Sequence, residues 1–221
     1  MTRHVSVVGG HGSVARLLTG KLVERGHEVR GLVRSSNQFA DLRADGAEPV
    51  LCDLENSSDD ELDEALGDAE IVVFAAGAGP DSGPERKKTL DRDGAIRSVE
   101  SAIRVGASRF VVVSSMGADD PPDDDDTFSV YLRAKHDADE AVRSASQTSG
   151  IGHVVVRPGS LTDDDGTGTV RIGDSVGRGE IPRADVAEVL AEIIDSGRGD
   201  GHTFEVISGD TAVRDAVRAL D

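Results

Sequence analysis

Short runs of β-branched and aromatic residues alternate with longer amphipathic stretches, and no other feature limits so tightly what the chain can fold into. The runs cover residues 4–8, 28–33, 48–51, 70–75, 109–114 and 152–157. Each of the first five is followed by polar or helical sequence. This alternation predicts an α/β fold, a doubly wound parallel sheet with helices on both faces. The runs are mostly apolar without strict alternation, as strands buried on both sides require. Helices are expected over 13–25, with Leu17, Leu18, Leu22 and Val23 on one stripe, and over 86–105. Two more are expected over 128–146, with Val130, Ala134, Ala138, Ala141 and Val142 inward, and over 183–196 between Pro182 and Gly197. A late strand, 203–207, precedes a final helix, 211–220. Stretches 117–127 and 162–168, rich in Asp, Pro and Gly, read as surface loops. Neither an internal repeat nor a linker divides the chain, so residues 1–221 are expected to form one domain, with about 160–221 as a small substrate-side part.

Between the first strand and the first helix stands Val7-Val8-Gly9-Gly10-His11-Gly12-Ser13-Val14-Ala15. Gly9 permits a tight turn, Gly12 lets the backbone approach a pyrophosphate, and Ala15 still allows close helix–strand packing. The helix start at Ser13 and Val14 then offers free N–H groups and the positive end of the helix dipole to phosphates. The second strand ends in Arg34 and Ser35, where an NAD site usually has a carboxylate for the ribose 2′-hydroxyl. A guanidinium with adjacent hydroxyls suits a 2′-phosphate, so NADP is expected, with NAD possible. Small residues at Ala75, Ala76 and Gly77, ending the fourth strand, let the chain pass close to the cofactor ribose. His11 finds no role in this reading.

The net charge of −18 repels nucleic acid and anionic lipid, so a small-molecule partner is expected and neither a polynucleotide nor a membrane. Aspartates outnumber glutamates 28 to 14, and arginines outnumber lysines 20 to 4. Such an acid-rich, lysine-poor surface is compatible with salt adaptation and equally with a GC-rich genome. No apolar run is long enough to span a bilayer, and the N-terminus carries no apolar leader, so a cytoplasmic protein is expected. The single Cys52 implies neither a disulfide nor a zinc site, and no metal is expected.

The order G-x-x-G-x-x-A in residues 9–15 resembles the short-chain dehydrogenase/reductase superfamily, particularly its extended and atypical NAD(P)-binding branches. Tyr131-Leu132-Arg133-Ala134-Lys135 matches Y-x-x-x-K, and four residues bring both side chains to one helix face. The resemblance implies that Tyr131 exchanges the proton with the substrate oxygen. It implies that Lys135 binds the nicotinamide ribose and eases ionisation of the phenol. By motif position Ser115 polarises the substrate carbonyl, with Ser114 beside it facing the cofactor. Asp53 and Leu54 are implied at the adenine, although Asp53 could instead cap the following segment. Pro158 and Gly159, within Arg157-Pro158-Gly159, are implied beside the nicotinamide. Further matches at 93–95, 135–140, 157–162 and 181–187 make the chain similar to a compact NAD(P)H-binding, sugar-epimerase-like family with a Rossmann fold. Function is thus expected as an NADP-dependent oxidoreductase of a small carbonyl or flavin-like compound. A non-catalytic NADP(H) sensor and an epimerase or dehydratase with tightly held cofactor remain as alternatives. Monomer and dimer are equally compatible with the sequence.

Overall fold

The computed structural model describes residues 1–79 and 82–220. Six parallel strands come first: β1 (His4–Val8), β2 (Glu28–Val33), β3 (Glu48–Leu51), β4 (Ile71–Phe74), β5 (Arg109–Val113) and β6 (Gly152–Pro158). Later follow β7 (Ser160–Thr162), β8 (Thr169–Gly173), β9 (Glu180–Pro182), β10 (His202–Ser208) and β11 (Thr211–Ala212). The main sheet has the order β11-β8-β10-β6-β5-β4-β1-β2-β3, with β7 and β9 as a separate parallel pair. Winding therefore reverses between β1 and β4, the place where such sheets open a crevice at their carboxyl ends. Strand β8 runs antiparallel to both its neighbours in the main sheet, β10 and β11.

The helices are α1 (Ser13–Glu24), α2 (Phe39–Ala44), α3 (Asp59–Leu66), α4 (Pro84–Arg86), α5 (Ala95–Arg104), α6 (Thr127–Ser149), α7 (Arg183–Ser196) and α8 (Val213–Arg218). They cover both faces. Ala15, Leu18 and Leu22 of α1, Leu42 of α2, the apolar side of α7 and Val217 of α8 pack on Val5, Val7, Ile71, Val73 and Val111. Leu62 and Leu66 of α3, Val99 of α5 and Val142 of α6 pack on Val8, Val72, Phe74 and Phe110. This two-sided cover explains why the strands lack polar alternation. On α7 Val186, Val189, Leu190, Ile193 and Ile194 are fully buried, each worth about 1.5–3 kcal/mol.

Several elements differ from the sequence expectation. Leu17 stays 41% exposed, and Ala15 and Thr19 complete the buried stripe of α1. The helix expected over 86–105 is three pieces: α4, a π-helical segment Lys87–Gly94, and α5. The π turns place Lys87, Leu90 and Asp91 inward, where the two charged side chains find partners described below. The expected final helix begins only at Val213, because Thr211 and Ala212 pair with β8 instead. Strands β7 and β9, three residues each, are too short to stand out from pattern, and β8 is hidden within a stretch rich in Asp and Gly. Helix α3 starts from a reciprocal cap: Ser58 Oγ accepts from Glu61 N, and Glu61 Oε2 accepts from Ser58 N. Among the described residues no helix is long and apolar enough to cross a membrane.

Candidate functional site

Beyond the carboxyl ends of β1–β4 lies a cavity of about 240 Å³, whose walls include Gly9, Gly12, Arg34, Asp53, Ala76 and Leu90. Gly9 has φ +80°, and a Cβ there would stand 2.5 Å from Ala76 Cα, so the β1 and β4 exits touch across the crevice. Gly12 donates its N–H to the Gly9 carbonyl at 2.9 Å and opens α1 without a side-chain cap, leaving the first N–H groups at Ser13 and Val14 for a ligand. His11 now has a partner: its Nε2 lies 2.7 Å from Asp41 Oδ2. Arg16 binds Asp45 through Nε at 2.6 Å and a terminal nitrogen at 3.0 Å. Both contacts tie the glycine loop and α1 to α2.

Arg34 lines the same cavity, is exposed, and has no ion pair or hydrogen bond from its side chain among the described residues. Ser35 caps a single 3-10 turn, Ser36–Gln38, without a side-chain bond. The Gln38 Oε1 at the wall is buried and finds no partner among the described residues. On the far wall Leu54 is buried, and Asp53 does cap: it accepts from Glu55 N at 3.2 Å and Asn56 Nδ2 at 2.8 Å while still lining the cavity. Arg97 donates to the Leu54 and Ser57 carbonyls at 2.7 and 2.6 Å, holding that wall in place. Burial pushes the Cys52 thiol up, so it stays protonated against this wall. A glycine crevice, free helix N–H groups and an unpaired guanidinium on one cavity fit a dinucleotide with its phosphates.

Helix α6 carries the second part of the site. Its cap is Asp126, which accepts from Phe128 N at 2.9 Å. Tyr131, Lys135 and Asp139 follow at four-residue spacing, so one face presents all three. Lys135 is 3% exposed; its Nζ donates to the Val113 carbonyl at 3.1 Å and lies 3.4 Å from Asp91 Oδ1. The ammonium stands 5.8 Å from the Tyr131 ring centroid and 5.7 Å from that of Phe74. Burial alone would push Lys135 down, but the Tyr131 phenolate, when that group is ionised, and the Asp91 and Asp139 carboxylates outweigh it and hold the group above its ordinary value. Lys135 therefore keeps its positive charge without water around it.

Ser114 ends β5 buried, and its Oγ donates to Asp139 Oδ2 at 2.9 Å. Asp139 also takes Arg157 Nε at 3.0 Å. Burial raises the Asp139 carboxyl, against the pull of Arg157, Ser114 and Lys135. Ser115 is half-buried, and its Oγ donates to the Met116 carbonyl at 3.2 Å. Pro158 and Gly159 link β6 to β7: the Pro158 carbonyl accepts from Met116 N at 3.0 Å, and a Cβ on Gly159 would strike the Gly179 carbonyl. The structure thus gathers Gly9, Gly12, Arg34, Asp53, Leu54, Ala75, Ala76 and Gly77 around the cavity. It turns Ser114 inward to Asp139, and Gly159 toward the β7–β9 pair. Sequence reasoning missed Asp91 and Asp139; the second continues the four-residue spacing from Tyr131, whereas no local pattern marks the first.

The profile of a family described as NAD(P)H-binding matches residues 9–197. The chain belongs to this family. One relative, named as the uncharacterized sugar epimerase YhfK of Bacillus subtilis, is 32% identical over 217 residues, covering 98% of this chain and 99% of its own. A Bacillus halodurans structure provisionally named NAD-dependent epimerase/dehydratase is 37% identical, with TM-score 0.90, covering 99% of this chain and 100% of that one. A Streptococcus pneumoniae structure provisionally named NADH-flavin reductase shares the fold at TM-score 0.72 and 21% identity, over 94% of this chain and 100% of its own. The NAD(P)H-binding fold, a mostly parallel sheet flanked by helices in one domain, is the one read from the alternating sequence.

Proposed function

We propose that the protein is an NADP-dependent oxidoreductase of a small carbonyl or flavin-like compound. The observation that carries this reading is a charged, buried Lys135 ammonium 5.8 Å from the ring of Tyr131. Backbone at Gly9, Gly12, Ser13 and Val14 would take the pyrophosphate. Arg34 and Ser35 would take the 2′-phosphate, and Asp53 and Leu54 the adenine. Ala75, Ala76 and Gly77 would line the ribose, with Ser114, Pro158 and Gly159 supporting the nicotinamide end. When bound, the reduced nicotinamide supplies a hydride. Tyr131 donates its hydroxyl proton to the substrate oxygen as that hydride arrives. Ser115 exchanges its bond to the Met116 carbonyl for one to the same oxygen and steadies the developing charge. Lys135 has three N–H groups: one is donated to the Val113 carbonyl, and a second faces Asp91 Oδ1 in an ion pair at 3.4 Å. The third serves the nicotinamide ribose, and the positive charge stabilises the phenolate left on Tyr131.

An acceptor of flavin type is supported by the name of the Streptococcus pneumoniae protein, and an epimerase by that of the Bacillus subtilis relative. The residues after Gly159 complete the sheet and its α7–α8 layer, which favours a small substrate over a nucleotide sugar. Mass spectrometry of co-purified ligand, then a panel of aldehydes, ketones, quinones and flavins scored by NADPH oxidation, tests the reading. With an accepted substrate, Tyr131→Phe should lower turnover by about 10² to 10⁴ and leave cofactor affinity nearly intact. Wild-type turnover by this variant would remove Tyr131 as proton donor. Tight NADPH binding with no reaction anywhere on the panel would favour the sensor alternative.

A further inference from the structure

Two buried charged residues of the π-helical segment have a second role in their surroundings. Lys87 and Asp91 are 5% and 0% exposed and lie four residues apart. Asp91 Oδ2 accepts from Ala78 N at 3.2 Å, and Lys87 Nζ donates to the Gly79 carbonyl. The two side chains thereby grip consecutive residues of the β4 exit, next to Ala76 and Gly77 on the cavity wall. Each also reaches α6. Asp91 Oδ1 lies 3.4 Å from Lys135 Nζ, and Lys87 Nζ lies 5.3 Å from the Tyr131 ring centroid. The Tyr131 ring thus has Lys87 at 5.3 Å and Lys135 at 5.8 Å.

A buried ammonium is costly, and a carbonyl with a ring face is modest compensation beside a carboxylate. A tie to the Gly79 carbonyl alone needs only a neutral donor. Yet a chain with 4 lysines against 20 arginines places two of them around its one tyrosine. A charge on the ring is what distinguishes Lys87 from a plain strut. We propose that Lys87 is a positioning residue for Tyr131, acting with Asp91 to hold the Tyr131–Lys135 pair in register with the β4 exit. The proposal rests on the oxidoreductase reading for its consequence in turnover, but not for its geometry.

The composition supplies the test. With one tyrosine and no tryptophan, the near-ultraviolet dichroism of the tyrosine band reports on Tyr131 alone. Lys87→Met should lose most of that band while the far-ultraviolet spectrum and the NADPH dissociation constant stay unchanged. On the substrate used for Tyr131→Phe its kcat should fall by between about 10- and 100-fold, the usual effect of a misplaced reacting group. Lys87→Arg, which keeps a donor and a cation for the ring, should restore both. An unchanged tyrosine band in Lys87→Met overturns the proposal, whether or not cofactor affinity drops. So does a band lost equally in Lys87→Arg. Should Tyr131→Phe turn over normally, the mechanism fails separately, and the dichroism still decides whether Lys87 positions the ring.

Discussion

Arg34 shows how a single side chain carries a specificity argument. It is exposed on the cavity wall without a partner among the described residues, so its charge is available to a ligand. Arg34→Asp should shift preference from NADPH to NADH, because a carboxylate repels a 2′-phosphate and accepts from a free hydroxyl. Fluorescence titration of both cofactors on both proteins measures it, and equal NADPH affinity in the variant would take Arg34 out of the site. Gly9 makes the complementary steric case. At φ +80°, with a Cβ only 2.5 Å from Ala76 Cα, Gly9→Ala must move one strand exit against the other. The backbone strain alone costs about 1–3 kcal/mol. Urea melts should show that loss, and cofactor titration a matching fall in affinity. Both residues are legible in sequence, since a turn after a strand and a charge at a strand end are local facts. His11 is not, because the Asp41 that holds it lies 30 residues away on α2.

At the scale of elements, α6 is the most informative. Its four-residue spacing leaves Tyr131 half-buried and sends Lys135 and Asp139 into the protein, where Asp91, Ser114 and Arg157 complete a buried polar network. Breaking such a network from one side is expensive. Asp139→Ala should lose about 3–5 kcal/mol, leaving Arg157 buried without its carboxylate. Chemical denaturation measures this, and a loss below about 1 kcal/mol would mean that water reaches Arg157 freely. The π-helical segment teaches the opposite lesson about legibility. Residues 86–105 read as one helix from periodicity, because propensity does not separate π from α turns. What widens the segment is tertiary: Asp91 reaches Ala78 and Lys135, and Lys87 reaches Gly79.

For the whole molecule, two global properties are open to direct measurement. The net charge of −18 spreads repulsion over the folded surface. Raising KCl from dilute to molar should therefore raise the melting temperature through screening. A flat or falling profile would point to composition without salt adaptation. The second property is acid sensitivity. Burial pushes His27 and His153 below their ordinary value, so both stay neutral in the fold. The unfolded chain binds protons near pH 6.5, which the folded chain refuses. Stability from these groups is thus present in full above about pH 6.5 and lost as the pH falls below it. His153→Leu should flatten that limb in urea titrations, and an unaltered limb would exclude His153 as a source.

The sequence by itself determined the parallel strands of the sheet and the position of the glycine crevice, because hydrophobic periodicity and a glycine turn act over neighbouring residues. It also placed Tyr131 and Lys135 on one helix face, since helical spacing is local. Only the tertiary structure decided what surrounds them. Asp91 comes from a segment 44 residues before Lys135, and Ser114 turns to Asp139 across 25 residues. Gly159 faces Gly179 because β7 pairs with β9. Burial and charge pairing are properties of groups brought together from distant segments, and no stretch of sequence carries them alone.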